Sequence, residues 1–398
     1  MSHYFQNIKN SFKLKHYINY IGVGGILILF AALFYAGALN RATPNLLTQI
    51  GYSIILAVSL NLVVGLLGEL SLGHAGFMCV GAYIGASVAN ALVGKMPIMI
   101  ALVISALAGG ISAAIFGFLV GLPALRLRGD YLAIVTLAFG EIVRNICKNL
   151  PFFGGAQGLA SEFYSEYLKL GKKSMPLFIP TFIAALLMLF IVQNLIRSKH
   201  GRAITAIRDN EIAAKAMGIN VTYYKLLVFV ISAFFAGIAG VIYMGTTSPI
   251  QYSFFSYNYS IEILVMVVLG GMGSISGSIV SAALITYINF VLKSNLSGDM
   301  AAVKTLVYAL ILILMVIYKN APALKGVRER LNLQIIKNII KDKVFKVKSS
   351  ASDVHDDAGE WDEIPTKIIT DEMLSTDFVL TTYNPDKPDK NESRKENK

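Results

Sequence analysis

The sequence predicts an all-α, polytopic membrane protein with about ten transmembrane helices and both termini in the cytoplasm. Three observations carry this. Hydrophobic residues make up 55% of the chain and charged residues only 15%, a balance that cannot furnish an ordinary water-facing surface. Six runs, 21–40, 42–68, 96–125, 174–196, 226–261 and 263–292, contain no Asp, Glu, Lys or Arg, and a bilayer core takes about 20 helical residues to cross. The runs are continuously apolar, whereas barrel strands would alternate over about 10 residues; helices also satisfy every backbone hydrogen bond internally, as lipid requires.

The expected spans are 20–39, 46–67, 74–94, 97–121, 131–150, 176–196, 226–245, 251–269, 277–292 and 300–318. A basic N-terminus, 1–19, carries Lys9, Lys13, Lys15 and His16 ahead of the first span. Ala36-Gly37-Ala38 has the look of a signal-peptide cleavage site, but the apolar run exceeds the usual h-region of about 7–15 residues and further spans follow. With the N-terminus inside, Arg126 and Arg128 and the segment 197–225 fall in the cytoplasm, and the charge-free loop 246–259 falls outside.

Residues 259–292, as one helix, would run about 50 Å against a core of about 30 Å. The expected break is Gly270-Gly271-Met272-Gly273-Ser274-Ile275-Ser276-Gly277. Splitting there returns the basic juxtamembrane segment 319–350 to the cytoplasm, where its nine Lys and Arg residues belong. Val327–Val347 places Leu331, Ile335, Ile339 and Ile340 near helical spacing among lysines, which suits either a helix on the inner membrane surface or a solvated one. The last section, 351–398, holds 13 acidic and 6 basic residues and reads as a disordered tail.

Composition excludes several functions. Two cysteines, Cys79 and Cys147, supply neither a disulfide framework nor a Cys-based metal site. The net charge of +11 is concentrated in short loops beside apolar runs, so it points to membrane orientation and not to nucleic acid. No G-x-x-x-x-G-K-[ST] phosphate loop occurs, since Gly94-Lys95 is followed by Met96. ATP hydrolysis is therefore not expected on this chain, and neither is a cofactor of its own.

Within 197–225, Asp209 or Asn210 can cap a short helix, Glu211 lies in its first turn where the dipole favours an anion, and Gly218 can close it. Ala213, Ala214 and Met217 offer a small-residue face for docking into a groove on a soluble partner, with Arg208 and Glu211 setting register. A plain polar loop is the alternative. Polar residues within spans are costly and tend to face a pathway or a partner; Asn61, Glu69, Ser71, His74, Glu141 and Glu262 are of this kind. Glu141 and Arg144, three apart, can pair on one helix face. His74 sits beside the Glu69-Leu70-Ser71 interruption and suits either a cavity lining or helix packing. Gly81, Gly85, Gly109, Gly110, Gly117, Gly237 and Gly240 read as close helix packing.

The stretch Glu211-x-Ala213-Ala214-x-x-x-Gly218 resembles the coupling motif of importer permeases of the ATP-binding-cassette class. The wider block Gly201–Gly240, with Ser59–Gly65, Leu70–Phe77, Leu127–Leu137 and Val268–Ser274, resembles the LivM-type permeases of branched-chain amino-acid uptake systems, and the resemblance covers roughly residues 50–320. It implies a transmembrane permease subunit for Leu, Ile or Val in a bacterial inner membrane. The implied partners are a second, LivH-type permease, two cytoplasmic ATPase subunits that use ATP and Mg, and an extracytoplasmic binding protein. It assigns coupling to Arg208, Asp209, Glu211, Ala213, Ala214 and Gly218, and leaves Asn61, Ser71, His74, Glu141 and Glu262 as path candidates and Gly270, Gly271 and Gly273 as a helix break. Permeases for urea, short amides or sugars, an ion-coupled secondary carrier, and a scaffold without a transport path remain alternatives at this point.

Overall fold

In lipid, helices gain little from burying apolar side chains against one another, so close contact between small residues has to hold a bundle together. The computed structural model follows that rule. It describes residues 18–35, 43–124, 129–170 and 175–295, with Leu310 and Ile313. The expected tenth span, the basic segment 319–350 and the acidic tail 351–398 lie outside the described residues, as do residues 1–17.

Twelve helices are described: α1 (Ile18–Tyr35), α2 (Thr43–Asn61), α3 (His74–Leu92), α4 (Ile98–Ala124), α5 (Asp130–Asn149), α6 (Glu162–Leu170), α7 (Phe178–Arg197), α8 (Lys199–Asp209), α9 (Glu211–Ala216), α10 (Val221–Met244), α11 (Tyr257–Gly270) and α12 (Ile275–Asn295). Among the described residues the only strand-like pairing is an isolated bridge between Leu159 and Ile250. Six helices are long and apolar enough to cross a membrane: Thr43–Leu67, His74–Leu92, Ile98–Ala124, Phe178–Arg197, Val221–Met244 and Ile275–Leu292. Gly22–Phe34 and Tyr257–Gly270 are apolar but shorter. The expected span at 131–150 forms α5, which carries Glu141, Arg144 and Lys148 and falls outside that set. The span expected from 251 begins only at Tyr257, because Tyr252–Phe255 form a 3-10 turn.

α2 is the central helix, with 94% of its apolar window buried, and it packs against α7, α10, α11 and α12. Its last turn widens into a π-helix, Leu62–Leu67, that stops at Gly68 in a left-handed conformation. α3, α4 and α10 form the tightest group. A Cβ at Gly81 would strike the backbone of Gly237, and one at Gly240 the Met78 carbonyl, so the sequence places glycine where two backbones touch. The opposite face of α4 presents Ile100, Val103, Leu107, Ile111 and Ile115, all exposed, at the helical spacing of a face turned to lipid or to another chain.

The expected interruption near residue 270 is present: α11 ends at Gly270, Gly271 and Gly273 have φ of 99° and 83°, and α12 starts at Ile275. Those φ values belong to the left-handed region that glycine adopts without steric cost. Running α2, α10, α11 and α12 through these ends gives the bundle two poles. One holds the π-helical end of α2, the α11–α12 break and α8–α9. The other holds the start of α2, the end of α10 and the outer halves of α11 and α12.

Candidate functional site

The first pole is built around a two-helix elbow. Ser198 caps α8 by accepting from the His200 and Gly201 amides, at 3.1 and 3.3 Å, and Asn210 caps α9 by accepting from the Ala213 amide at 3.0 Å. Of the two expected caps, Asn210 serves and Asp209 does not; Asp209 pairs with Arg208 at 2.9 Å. Gly218, φ 80°, turns the chain into α10, whose own cap is Asn220, accepting from the Tyr223 amide at 3.1 Å.

The elbow is fastened to the spans. Arg208 donates to the Gly65 carbonyl in the π-helical turn at 3.3 Å. Glu211 accepts from Lys215 at 2.7 Å and from Lys225 at 3.1 Å, and Lys225, 4% exposed, also pairs with Glu69 beyond the end of the π-helix. The ammonium of Lys215, with that of Lys225, holds the Glu211 carboxyl below the usual carboxylate range and outweighs its partial desolvation. Arg208 and Glu211 are thus engaged within the chain. One expectation needs correction: Ala214 is 4% exposed and packs inward, because it lies on the face of the short helix turned to the bundle. The exposed apolar side chains of the elbow are Ile212 and Met217, at 75% and 82%. Ala213 is also exposed.

Asn61 joins the two interruptions. Its amide donates to Ser278 Oγ at 3.0 Å, and its carbonyl oxygen accepts from the Gly273 amide at 2.8 Å. A Cβ at Gly65 would collide with Asn61 and with the Gly273 backbone. The α11–α12 break therefore rests directly on the turn that Arg208 grips. Gly270 lies against Gly277 across the break, with no room for a Cβ.

The remaining path candidates separate. His74 is the first residue of α3, buried, 2.8 Å from Ser59; Ser59 in turn supplies a carbonyl to Ser232 at 2.7 Å. This is a packing role between α2, α3 and α10. Ser71 is buried and its Oγ has no hydrogen-bond partner. Glu141 pairs with Arg144 at 2.6 Å and accepts from the Tyr257 amide at 3.0 Å, so it ties α5 to the start of α11.

Glu262 alone of them lines a cavity of about 370 Å³ at the second pole. Small-molecule pockets span about 300–1,000 Å³. Its walls are Gln49, Tyr52 and Ser53 of α2, Tyr243 at the end of α10, Thr246, Thr247 and Phe254 of the following loop, Tyr259, Glu262 and Met266 of α11, and Thr286, Asn289 and Phe290 of α12. Tyr243 stacks on Phe254 with ring centroids 4.2 Å apart, and Phe254 meets Tyr259 at 4.6 Å. Sequence reasoning found only Glu262 here. Gln49 and Asn289, amides within charge-free runs, carried the same signal as Asn61.

The family described as "Branched-chain amino acid transport system / permease component" matches residues 42–317. The high-affinity branched-chain amino acid transport system permease protein LivM of Escherichia coli (strain K12) is 34% identical over 339 residues, 78% of this chain and 76% of that one. A probable branched-chain amino acid transport permease protein LivM of Methanocaldococcus jannaschii is 31% identical over 271 residues, 63% and 76% of the two chains. The ribose import permease protein RbsC of Haemophilus influenzae is 27% identical over 286 residues, 69% and 84% of the two chains.

Proposed function

The chain belongs to the family of permease components of branched-chain amino acid transport systems, and from that premise we propose that its α8–α9 elbow is the lever through which a separate ATPase drives the membrane helices. The chain is a multi-pass membrane permease; sugar permeases match it at lower identity, which marks a shared architecture and does not favour a sugar substrate. The reading places it in the cytoplasmic membrane with residues 197–225, both termini and the first pole on the inner side, and the cavity pole outward. A second, LivH-type permease completes the path, two ATPase subunits hydrolyse MgATP, and an extracytoplasmic binding protein delivers Leu, Ile or Val.

One observation carries this reading. Ile212 and Met217 project into solvent from an elbow that is fixed to the spans by Arg208 on α8, bound to the Gly65 carbonyl, and by Glu211 on α9, paired with Lys225. Exposed apolar side chains on a firmly held element suit a groove on a partner, which gains from covering them. A force applied at the elbow reaches the π-helical turn through Arg208, and the α11–α12 break through Asn61. At the break the helical hydrogen-bond ladder is interrupted, and at the turn it is widened to the π spacing, so both can move without breaking regular α-helical turns.

Purification of the full transporter tests it. Met217→Asp combined with Ile212→Asp puts charge on the covered surface, and the ATPase subunits should no longer co-purify while the second permease still does. Retention of the ATPase by the double variant would place docking elsewhere.

A further inference from the structure

We propose that the cavity at the second pole is a transit site for a zwitterionic amino acid, with Glu262 and the tyrosine rings facing its ammonium group and Thr286 and Asn289 facing its carboxylate. The proposal rests on the permease reading and adds to it a ligand site inside this chain.

The chemistry of an α-amino acid sets the requirement. Its positive and negative groups are two bonds apart, so a site that holds both must set an acceptor and a donor side by side. Glu262 and Asn289 are such a pair. Asn289 Nδ2 donates to Glu262 Oε1 at 2.9 Å, one residue on α11 and the other on α12, and both line the cavity. An amide nitrogen carries two hydrogens, so this bond leaves Asn289 a second N–H for a ligand beside the Glu262 carboxylate.

Thr286 stands one helical turn before Asn289 on the same wall. It is 7% exposed, and its Oγ1 is buried with no hydrogen-bond partner. A buried hydroxyl is normally satisfied, and one that lines a cavity is left with an unspent donor and acceptor. Around these groups stand the aromatic rings. Tyr52 meets Tyr243 edge to face at 6.0 Å, Tyr243 stacks on Phe254, and Phe254 meets Tyr259 at a tilt of 42°. Ring faces attract an ammonium group, while Met266 and Phe290 supply apolar surface for an aliphatic side chain. Acceptor, donor, orphan hydroxyl, rings and apolar floor come from α2, α10, α11, α12 and the loop after α10, and converge on one volume.

The position of the site gives it a way to let go. Glu262 lies on one leg of the α11–α12 hairpin and Asn289 and Thr286 on the other, and the legs meet at the Gly270–Ser274 break that Asn61 holds against the elbow turn. Opening the hairpin at that break separates the group that holds the ammonium from those that hold the carboxylate.

The test uses the complete transporter in proteoliposomes with internal MgATP. Glu262→Gln and Thr286→Val should each lower leucine uptake by about tenfold, the scale of one charge-assisted hydrogen bond, with assembly of all subunits retained; Glu262→Asp should recover part of the loss. In a Cys79→Ala, Cys147→Ala background, Thr247→Cys should react with a thiosulfonate reagent, and L-leucine should slow that reaction. Neither 4-methylpentanoate, which lacks the ammonium, nor 3-methylbutylamine, which lacks the carboxylate, should do so. Normal uptake by both variants, or equal protection by the amine alone, overturns the zwitterion site. ATP-independent uptake by the wild type would instead sink the permease reading, so the two failures are distinguishable.

Discussion

The two poles of this bundle are built on opposite plans. The elbow at the first pole is made of neighbours in sequence, closed by caps and ion pairs, and its side chains Ile212 and Met217 are exposed. The cavity pole gathers side chains from α2, α10, α11 and α12, closes them with aromatic contacts, and turns its polar groups inward. Arg208 and Lys225 are where the elbow becomes tertiary: Arg208 reaches the Gly65 carbonyl across 143 positions of chain, and Lys225 reaches Glu211 within the segment and Glu69 across 156 positions. The contrast fits the proposed division of labour: a handle fastened by ion pairs at one end, and a ring-lined recess at the other.

The strongest way to break that division is to disable the handle alone. Gly218 has φ 80°, whereas proline fixes φ near about −65°, so Gly218→Pro cannot make the turn from α9 into α10. If the elbow is the proposed lever, leucine uptake should fall by roughly tenfold or more, while insertion and the cavity pole remain intact. Uptake is measured in membrane vesicles and insertion by quantitative immunoblot. Unchanged uptake would mean that the elbow's shape carries no force.

A smaller loss should follow from cutting the tertiary fastening. Lys225→Met takes the ammonium from Glu69 and one of the two lysines from Glu211, which keeps Lys215. Removing one partner of a buried ion pair costs about 3–5 kcal/mol, and the low end, about 3 kcal/mol, applies here because Glu211 keeps a quarter of its side-chain surface in water. The loss is read as a lowered midpoint of thermal unfolding in detergent. Double substitution with Glu69→Gln should recover part of it, since the coupling lies within one network.

The same contrast explains what could be read from the sequence. The elbow was legible because its signals are local: Asn210 three residues before Ala213, Glu211 four before Lys215, and Gly218 at the turn. The α11–α12 break was legible because Gly270, Gly271 and Gly273 interrupt an apolar run too long to cross a bilayer straight. The cavity was not. Its residues do recur at helical spacing, as in Gln49, Tyr52 and Ser53 or Thr286, Asn289 and Phe290. In a helix that is apolar on both its lipid-facing and its packed side, however, periodicity does not separate inside from outside. Nor does spacing reveal that the Ala214 side chain turns toward the bundle while Ile212 and Met217 turn away, because six residues make less than two turns. The Lys225–Glu69 pair depends on how α10 lies against the end of α2, which no local pattern encodes.

The smallest expected effect sharpens the comparison through pH. The Glu211 carboxyl sits below its ordinary value of 4.5 because Lys215 and Lys225 favour its charged form. A carboxylate with a depressed folded pKa gives its full stabilisation above the ordinary value and loses it as pH falls through the folded one. The unfolding midpoint of the wild type should therefore exceed that of Glu211→Gln by a constant margin between about pH 5 and pH 8, and the margin should shrink only below the ordinary carboxylate value. A thermal unfolding series on both proteins reads this directly. If the margin instead changed between pH 6 and 7, Glu211 would be titrating above its usual range, as a carboxylate stripped of its lysines does. The elbow would then be held by Arg208 and its caps alone, and the ion pairs would not be what distinguishes this pole from the cavity pole.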